Sequence, residues 1–264
     1  MSDSRLSDFR TYALSHMMDV EAILSEVYTA RCAGRHGFAL FDGGAHKAYH
    51  TMRMLDLPGC LRVHAVEADP FMAETFRGVL DKRRPDDLDR VVFYQKALQD
   101  NPDLQSIPWK SSPSHVGRSS IVARDSERQT IWGDNPDMEY REEFDVPATT
   151  IDSILAAEAL PVPFLKLDLE GADLLALRGA AETLRCKRPI VAFENSIHAP
   201  KVHGFTLEEI AAYFDGLDYV PMSFVGERIS TDTWFGFFEA WVAPSEDADW
   251  LHEQLNAALE RRNL

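Results

Sequence analysis

Apolar residues recur at helical spacing at Leu6, Phe9, Tyr12, Ala13 and Met17, and again at Val20, Ile23, Leu24 and Val27, which predicts a helix over residues 5–31. The rhythm then changes. Residues 38–41 form a short apolar run closed by Asp42-Gly43-Gly44, the pattern of a strand entering a turn. A helical stretch over 48–57 stops at Pro58-Gly59. A second strand is predicted at 62–66, ending at Glu67, and a helix opens near Pro70 and runs to about residue 80. Further strands are predicted at 91–94, at 164–167 ending in Asp168, and at 189–193 ending in Glu194. A helix covers 174–184, and another covers 206–214 with Thr206 and Glu209 at capping-box spacing. Residues 219–224 and 235–242 read as an antiparallel strand pair, and 247–262 as an amphipathic terminal helix.

Strands that alternate with helices imply an α/β fold with a mostly parallel sheet covered on both faces. Three units are expected: an N-terminal helical extension at 1–35, the main domain at 36–244, and a C-terminal helix at 245–264. Residues 99–148 break the rhythm with Pro102, Pro108, Pro113, Gly117, Gly133 and Pro136. They are predicted to be an irregular insertion, with room for a short hairpin, that serves as a substrate lid or a surface excursion.

Composition narrows the function. The 264 residues carry a net charge of −16, so the chain lacks the positive footprint of a generic nucleic-acid binder. Three scattered cysteines, Cys32, Cys60 and Cys186, make neither a disulfide framework nor a zinc cluster. The polar start and the absence of a membrane-length apolar run predict a cytoplasmic protein with no membrane partner. The terminal helices could pack internally or make a homodimer.

Parallel sheets bind ligands at the carboxyl ends of their strands, and four predicted strands here end in acidic or glycine-rich clusters. Gly43 and Gly44 let the backbone approach a ligand closely. Glu67 lies 25 residues beyond Asp42, at the end of the next strand, where a carboxylate accepts hydrogen bonds from ribose hydroxyls. The loop lacks the Gly-x-Gly-x-x-Gly spacing of a pyrophosphate cradle, which favours a nucleoside without phosphate, S-adenosylmethionine, over a nicotinamide dinucleotide. Asp42, Gly43, Gly44, Ala45, Thr51, Glu67, Ala68, Ala97 and Asp168 are the candidate donor contacts.

The second motif is Lys166-Leu167-Asp168-Leu169-Glu170-Gly171. Lys166, Asp168 and Glu170 alternate along a strand end, so extended geometry points them to one face. With His46 in the donor loop they are the candidates for catalysis. Asp168, Glu194 and Asn195, at the ends of neighbouring strands, are oxygen donors that could hold magnesium, an arrangement similar to that of the catechol O-methyltransferases. Without a metal, Asp168 or Glu194 would act as a base. His115, His198 and His203 are further candidate bases. Trp109, Trp132 and Tyr140 are candidates for an acceptor pocket.

Asp42-Gly43-Gly44-Ala45 with Thr51, then Val66-Glu67-Ala68-Asp69-Pro70, the block from Leu165 to Asp173 with Arg178-Gly179-Ala180, and Val191-Ala192-Phe193-Glu194 resemble the FkbM family of methyltransferases. The resemblance covers roughly residues 38–195. It implies a class I, Rossmann-like methyltransferase sheet, S-adenosylmethionine as donor, and O-methylation of a sugar, natural product or other small-molecule acceptor. His46 and Ala48 stand where the family usually has asparagine and glycine. Two other functions remain open on sequence: a non-catalytic nucleoside-binding protein and a nicotinamide-dependent oxidoreductase.

Overall fold

The computed structural model describes residues 17–111, 142–195, 203–234 and 239–262. The elements are, in order, α1 (Met17–Cys32), β1 (Phe38–Gly43), α2 (Tyr49–Leu55), β2 (Cys60–Val66), α3 (Pro70–Arg83), β3 (Val91–Tyr94), β4 (Ala97–Leu98), β5 (Ser106–Ser111), β6 (Glu142–Thr149), α4 (Ile151–Leu155), β7 (Phe164–Leu167), α5 (Asp173–Arg178), α6 (Ala181–Lys187), β8 (Ile190–Glu194), α7 (Leu207–Gly216), β9 (Tyr219–Ser223), β10 (Glu239–Pro244) and α8 (Ala248–Glu260).

Seven strands form the main sheet in the order β3-β2-β1-β7-β8-β10-β9. Neighbours pair in parallel except β10, which runs antiparallel to both β8 and β9. This is the mostly parallel sheet with a C-terminal antiparallel pair that the sequence predicts. Chain order reverses at β1, which has β2 on one side and β7 on the other, so the carboxyl ends of these strands flank the switch-point crevice.

Strand alternation builds two cores. Phe38, Leu40, Phe164, Ile190 and Trp241 face one side, where α1 and α8 supply Ile23, Val27, Tyr28, Leu251 and Leu255. Ala39, Phe41, Leu165, Leu167, Val191 and Phe193 face the other side, against Leu174, Leu177, Leu184, Ile210 and Phe214 of α5, α6 and α7. The extension helix α1 is therefore part of the core. Arg31 Nη1 fastens it to Asp247 Oδ1 at 2.9 Å. Among the described residues no helix is long and apolar enough to cross a membrane.

Three elements differ from the sequence reading. The predicted helix over 174–184 is two helices, parted at Gly179-Ala180. Gly179 packs so closely on the second sheet that a Cβ there would lie 2.1 Å from the carbonyl oxygen of Gln99. The carboxylate of Asp152 then caps the new helix start, accepting from Glu182 N at 3.0 Å and Thr183 N at 2.7 Å. The segment expected to be irregular contributes β5 and β6, an antiparallel pair that with β4 makes a separate three-stranded sheet. Pro108 is tolerated there because β5 is its edge strand. Helix α4 has no counterpart in the hydrophobic pattern; Thr150 caps it, accepting from Ser153 N at 3.0 Å. Residues 112–141, including His115, Trp132 and Tyr140, lie outside the described residues, as do His198 and the strand start predicted at 235–238.

Candidate active site

The carboxyl ends of β1, β2 and β7 and the start of the second sheet enclose a cleft of about 720 Å³, including its mouth to solvent. Gly44, His46, Glu67, Ala68, Ala97, Asp168 and Glu170 line it. Asp42, Thr51 and Lys166 are buried beside it.

The glycine turn is held from three sides. Gly44 N and Ala45 N both donate to the carbonyl of Val66 at 2.9 Å, and Asp168 N donates to the carbonyl of Gly43 at 3.1 Å. Gly44 has φ +72, and a Cβ on it would lie 1.9 Å from the carbonyl oxygen of Asp168. His46 (φ 46) and Ala48 (φ 63) also sit in the left-handed region. Asparagine and glycine tolerate positive φ better than histidine and alanine do, so His46 and Ala48 both carry backbone strain there.

Glu67 is 9% exposed. Its Oε2 accepts from His46 N and its Oε1 from Asp69 N, both at 2.9 Å. Burial pushes its carboxyl up to about 7, against the two backbone N–H groups and the Lys166 charge, which favour the ionised form. A carboxylate has about four acceptor positions, so two stay open for further hydroxyl donors.

Beneath the turn, Asp42 accepts from Thr51 Oγ1 at 2.6 Å. Lys166 Nζ donates to the carbonyl of Gly44 at 3.0 Å and lies 3.6 Å from both Asp42 Oδ1 and Asp168 Oδ2. Burial alone would lower this amine; Asp168 and Asp42 more than offset it, and Lys166 is held protonated. His46 is shifted the other way, by burial and then by Lys47, both of which favour its neutral form. Its Nε2 is buried without a hydrogen-bond partner among the described residues.

At the strand-end acids, the side chain of Asp168 is 49% exposed and turned toward Lys166. Glu194 is 7% exposed. Burial, with Asp173 and Asp168 nearby, raises its carboxyl well above the usual range. Its backbone N donates to Asp173 Oδ1 at 3.3 Å. Asn195 Nδ2 donates to the carbonyl of Trp234 at 2.8 Å. Among the described residues no group of three His, Cys, Asp or Glu is placed to hold a metal ion. The expected magnesium trio of Asp168, Glu194 and Asn195 gains no support from this arrangement, in which Asp168 is turned toward Lys166 and Glu194 is buried among other acids that favour its neutral form. His203 Nε2 donates to the carbonyl of Gly171 at 3.0 Å.

Trp109, expected to line a pocket, does line the cleft, and Asp69 lines it beside Glu67. Asp69 has a readable signal in the sequence. It precedes Pro70 at a helix start and caps α3, accepting from Phe71 N at 2.9 Å and Met72 N at 3.2 Å. Trp109 is readable only as a loop aromatic, because its approach to Asp69 depends on the second sheet.

A switch-point cleft with a glycine turn and a strand-end acid, on this strand order, defines a class I methyltransferase-like α/β domain. The chain belongs to the FkbM methyltransferase family: the Methyltransferase FkbM domain matches residues 42–221. Among solved structures the chain is similar to a methyltransferase FkbM from Methylobacillus flagellatus KT, with 17% identity over 80% of this chain and 45% of that one and a TM-score of 0.48. The chain thus spans less than half the length of that relative. It is also similar to a putative methyltransferase from Streptococcus mutans in complex with SAH, with 10% identity, 83% and 96% coverage and a TM-score of 0.42. A precorrin-6y C5,15-methyltransferase from Geobacter metallireducens GS-15 gives 10% identity, 83% and 84% coverage and a TM-score of 0.40. No curated protein sequence matches the chain.

Proposed function

We propose that this protein transfers a methyl group from S-adenosylmethionine to a hydroxyl of a small-molecule acceptor. The observation that carries the reading is Glu67: a carboxylate at the cleft wall with both oxygens oriented by backbone N–H groups and acceptor positions left for a ribose diol. Gly44 supports it, because only a residue without Cβ fits between the donor loop and the end of β7. Bound S-adenosylmethionine supplies an electrophilic methyl on a sulfonium, open to in-line displacement by an oxygen nucleophile.

The chain's own contribution is positioning and proton management. Lys166 stays protonated and locks the glycine turn, Asp42 and Asp168 into one arrangement. His46, whose burial favours the neutral ring and whose Nε2 is unpartnered among the described residues, is the group suited to take the acceptor's proton, and Asp168, half-exposed at the cleft, to orient its hydroxyl. Membership of the FkbM family supports methyl transfer, and O-methylation is what the resemblance in the sequence motifs implies. No step here runs through a metal.

The test is calorimetry with S-adenosylhomocysteine, followed by turnover against a panel of hydroxylated small molecules. Micromolar binding and a methoxy product are expected. Absence of binding by a folded protein, or a product methylated on carbon or nitrogen, would sink the reading.

A further inference from the structure

Trp109 is the only Trp, Tyr or Phe among the described residues lining the cleft. It reaches the cleft from β5, where it stands opposite Phe144 in the register with β6. Its ring is 7% exposed and packs in a cluster with Ala68, Ala97, Ile107, Val146 and Ala148. Ala68 follows Glu67 directly and Ala97 opens β4, so the ring lies over the strand ends just beyond the ribose acid.

The orientation of the ring is set by a hydrogen bond. Trp109 Nε1 donates to Asp69 Oδ2 at 3.3 Å, while the other oxygen of Asp69 caps α3 and its backbone N donates to Glu67 Oε1. One three-residue segment therefore fixes both the ribose acid and the indole. Ala68, Ala97, Met72 and Leu98 line the cleft with the indole, so the wall beside it is mostly apolar, with Lys96 at its edge. A lining of an aromatic ring, two alanines and a thioether suits a planar heterocycle more than a sugar or an amino acid.

We propose that Trp109 is the base-binding wall of the cleft, against which the adenine of the donor stacks. The proposal rests on the nucleoside reading of the cleft given above. It makes the second sheet part of the donor site, so the segment joining β5 and β6 begins and ends on an element the donor touches.

The test uses the full chain, with S-adenosylhomocysteine and adenosine as probes. Trp109→Phe keeps an aromatic wall, and Trp109→Leu keeps apolar packing without it; thermal melts establish that both fold. In the wild type, adding S-adenosylhomocysteine should change tryptophan emission. That change should vanish in Trp109→Phe, whose affinity stays within a few-fold of wild type. Trp109→Leu should bind both probes about 5- to 100-fold more weakly, and by the same factor for each, since the loss is at the base. Unaltered affinity in a folded Trp109→Leu, or an emission change that persists in Trp109→Phe, overturns the role of Trp109 and leaves the donor reading intact. Failure of the wild type to bind either probe overturns the donor reading, and this inference with it.

Discussion

Gly44 and Asp168 are in backbone contact across the switch point: a Cβ on Gly44 would lie 1.9 Å from the Asp168 carbonyl oxygen. The donor loop and the end of β7 are thus a single packed unit, and the requirement for glycine is double, since Gly44 also has φ +72. Gly44→Ala is expected to destabilise the protein by about 2–4 kcal/mol, because backbone on both sides must shift. It should also abolish binding of S-adenosylhomocysteine at concentrations that saturate the wild type. Urea denaturation and calorimetry measure the two effects. A variant of wild-type stability would mean that the loop relaxes freely and that the close approach is unimportant.

Lys166 is the cation that permits Asp42 to be fully buried. Removing one partner of a buried ionic group leaves an uncompensated charge and typically costs about 3–5 kcal/mol. Lys166→Met should lose about that much stability. Adding Asp42→Asn should recover part of the loss, because the orphaned carboxylate is replaced by a neutral amide that can still accept from Thr51. The double-mutant cycle isolates the coupling. Additive losses in the two substitutions would show that Lys166 acts through its carbonyl contacts at Gly43 and Gly44 alone.

Much of this is legible from local pattern. The strands at 91–94 and 164–167 fall at their predicted bounds, since short apolar runs between turn signals have few alternatives. The capping box of Thr206 and Glu209 is visible because both partners lie within one turn, and both of its hydrogen bonds form. Gly43, Gly44, Glu67 and Asp168 can be placed at one sheet edge because strand ends are readable and parallel sheets bind ligands there. What escapes local pattern is non-local. The break at Gly179 answers to Gln99, eighty residues earlier in the chain, and the cap on α6 comes from Asp152. Trp109 reads as a loop aromatic unless the pairing of β5 with β6 is known. The magnesium trio follows from strand-end positions, which say nothing about how deeply Glu194 is buried.

Glu158 illustrates another pairing that spacing hides. Its side chain is 1% exposed; it accepts from Arg62 Nη1 at 2.8 Å, and its Oε2 lies 2.7 Å from His64 Nε2. Burial opposes ionisation, yet the Leu160 N–H, His64 and Arg62 together hold the carboxyl down at about 2. A lowered carboxylate contributes stability that is present above its ordinary value of about 4.5 and is lost as pH falls toward 2. Glu158→Gln is therefore expected to cost about 1.5–3 kcal/mol at pH 7, the range of hydrogen bonds to charged groups. The gap to wild type should narrow between about pH 4.5 and 3. Urea midpoints at the two ends of that window decide it, and a gap of constant size would show that the carboxylate charge is irrelevant to the pin.

Glu67 has the opposite sign, and its consequence falls on ligand binding. Burial pushes the carboxyl up to about 7, so the free protein holds it protonated below that pH. Ionising it inside the fold is unfavourable. Its contribution to stability is therefore full below about 4.5 and declines as pH rises through 7. A ribose diol reverses the balance, because hydroxyl donors favour the charged form. Affinity for S-adenosylhomocysteine should then be flat above about pH 7.5 and fall by up to about tenfold for each pH unit below 7, as binding must first remove the proton. Glu67→Gln keeps the size of the side chain but has no charge to gain. It should bind more weakly at about pH 8, by about 1–3 kcal/mol, and show no step near 7. Its free form should lose less stability than wild type between about pH 5 and 8. Calorimetry at about pH 6, 7 and 8 on both proteins tests the assignment. A wild-type affinity independent of pH, or a Glu67→Gln variant that retains the step, would place the titrating group elsewhere and remove Glu67 from the ribose.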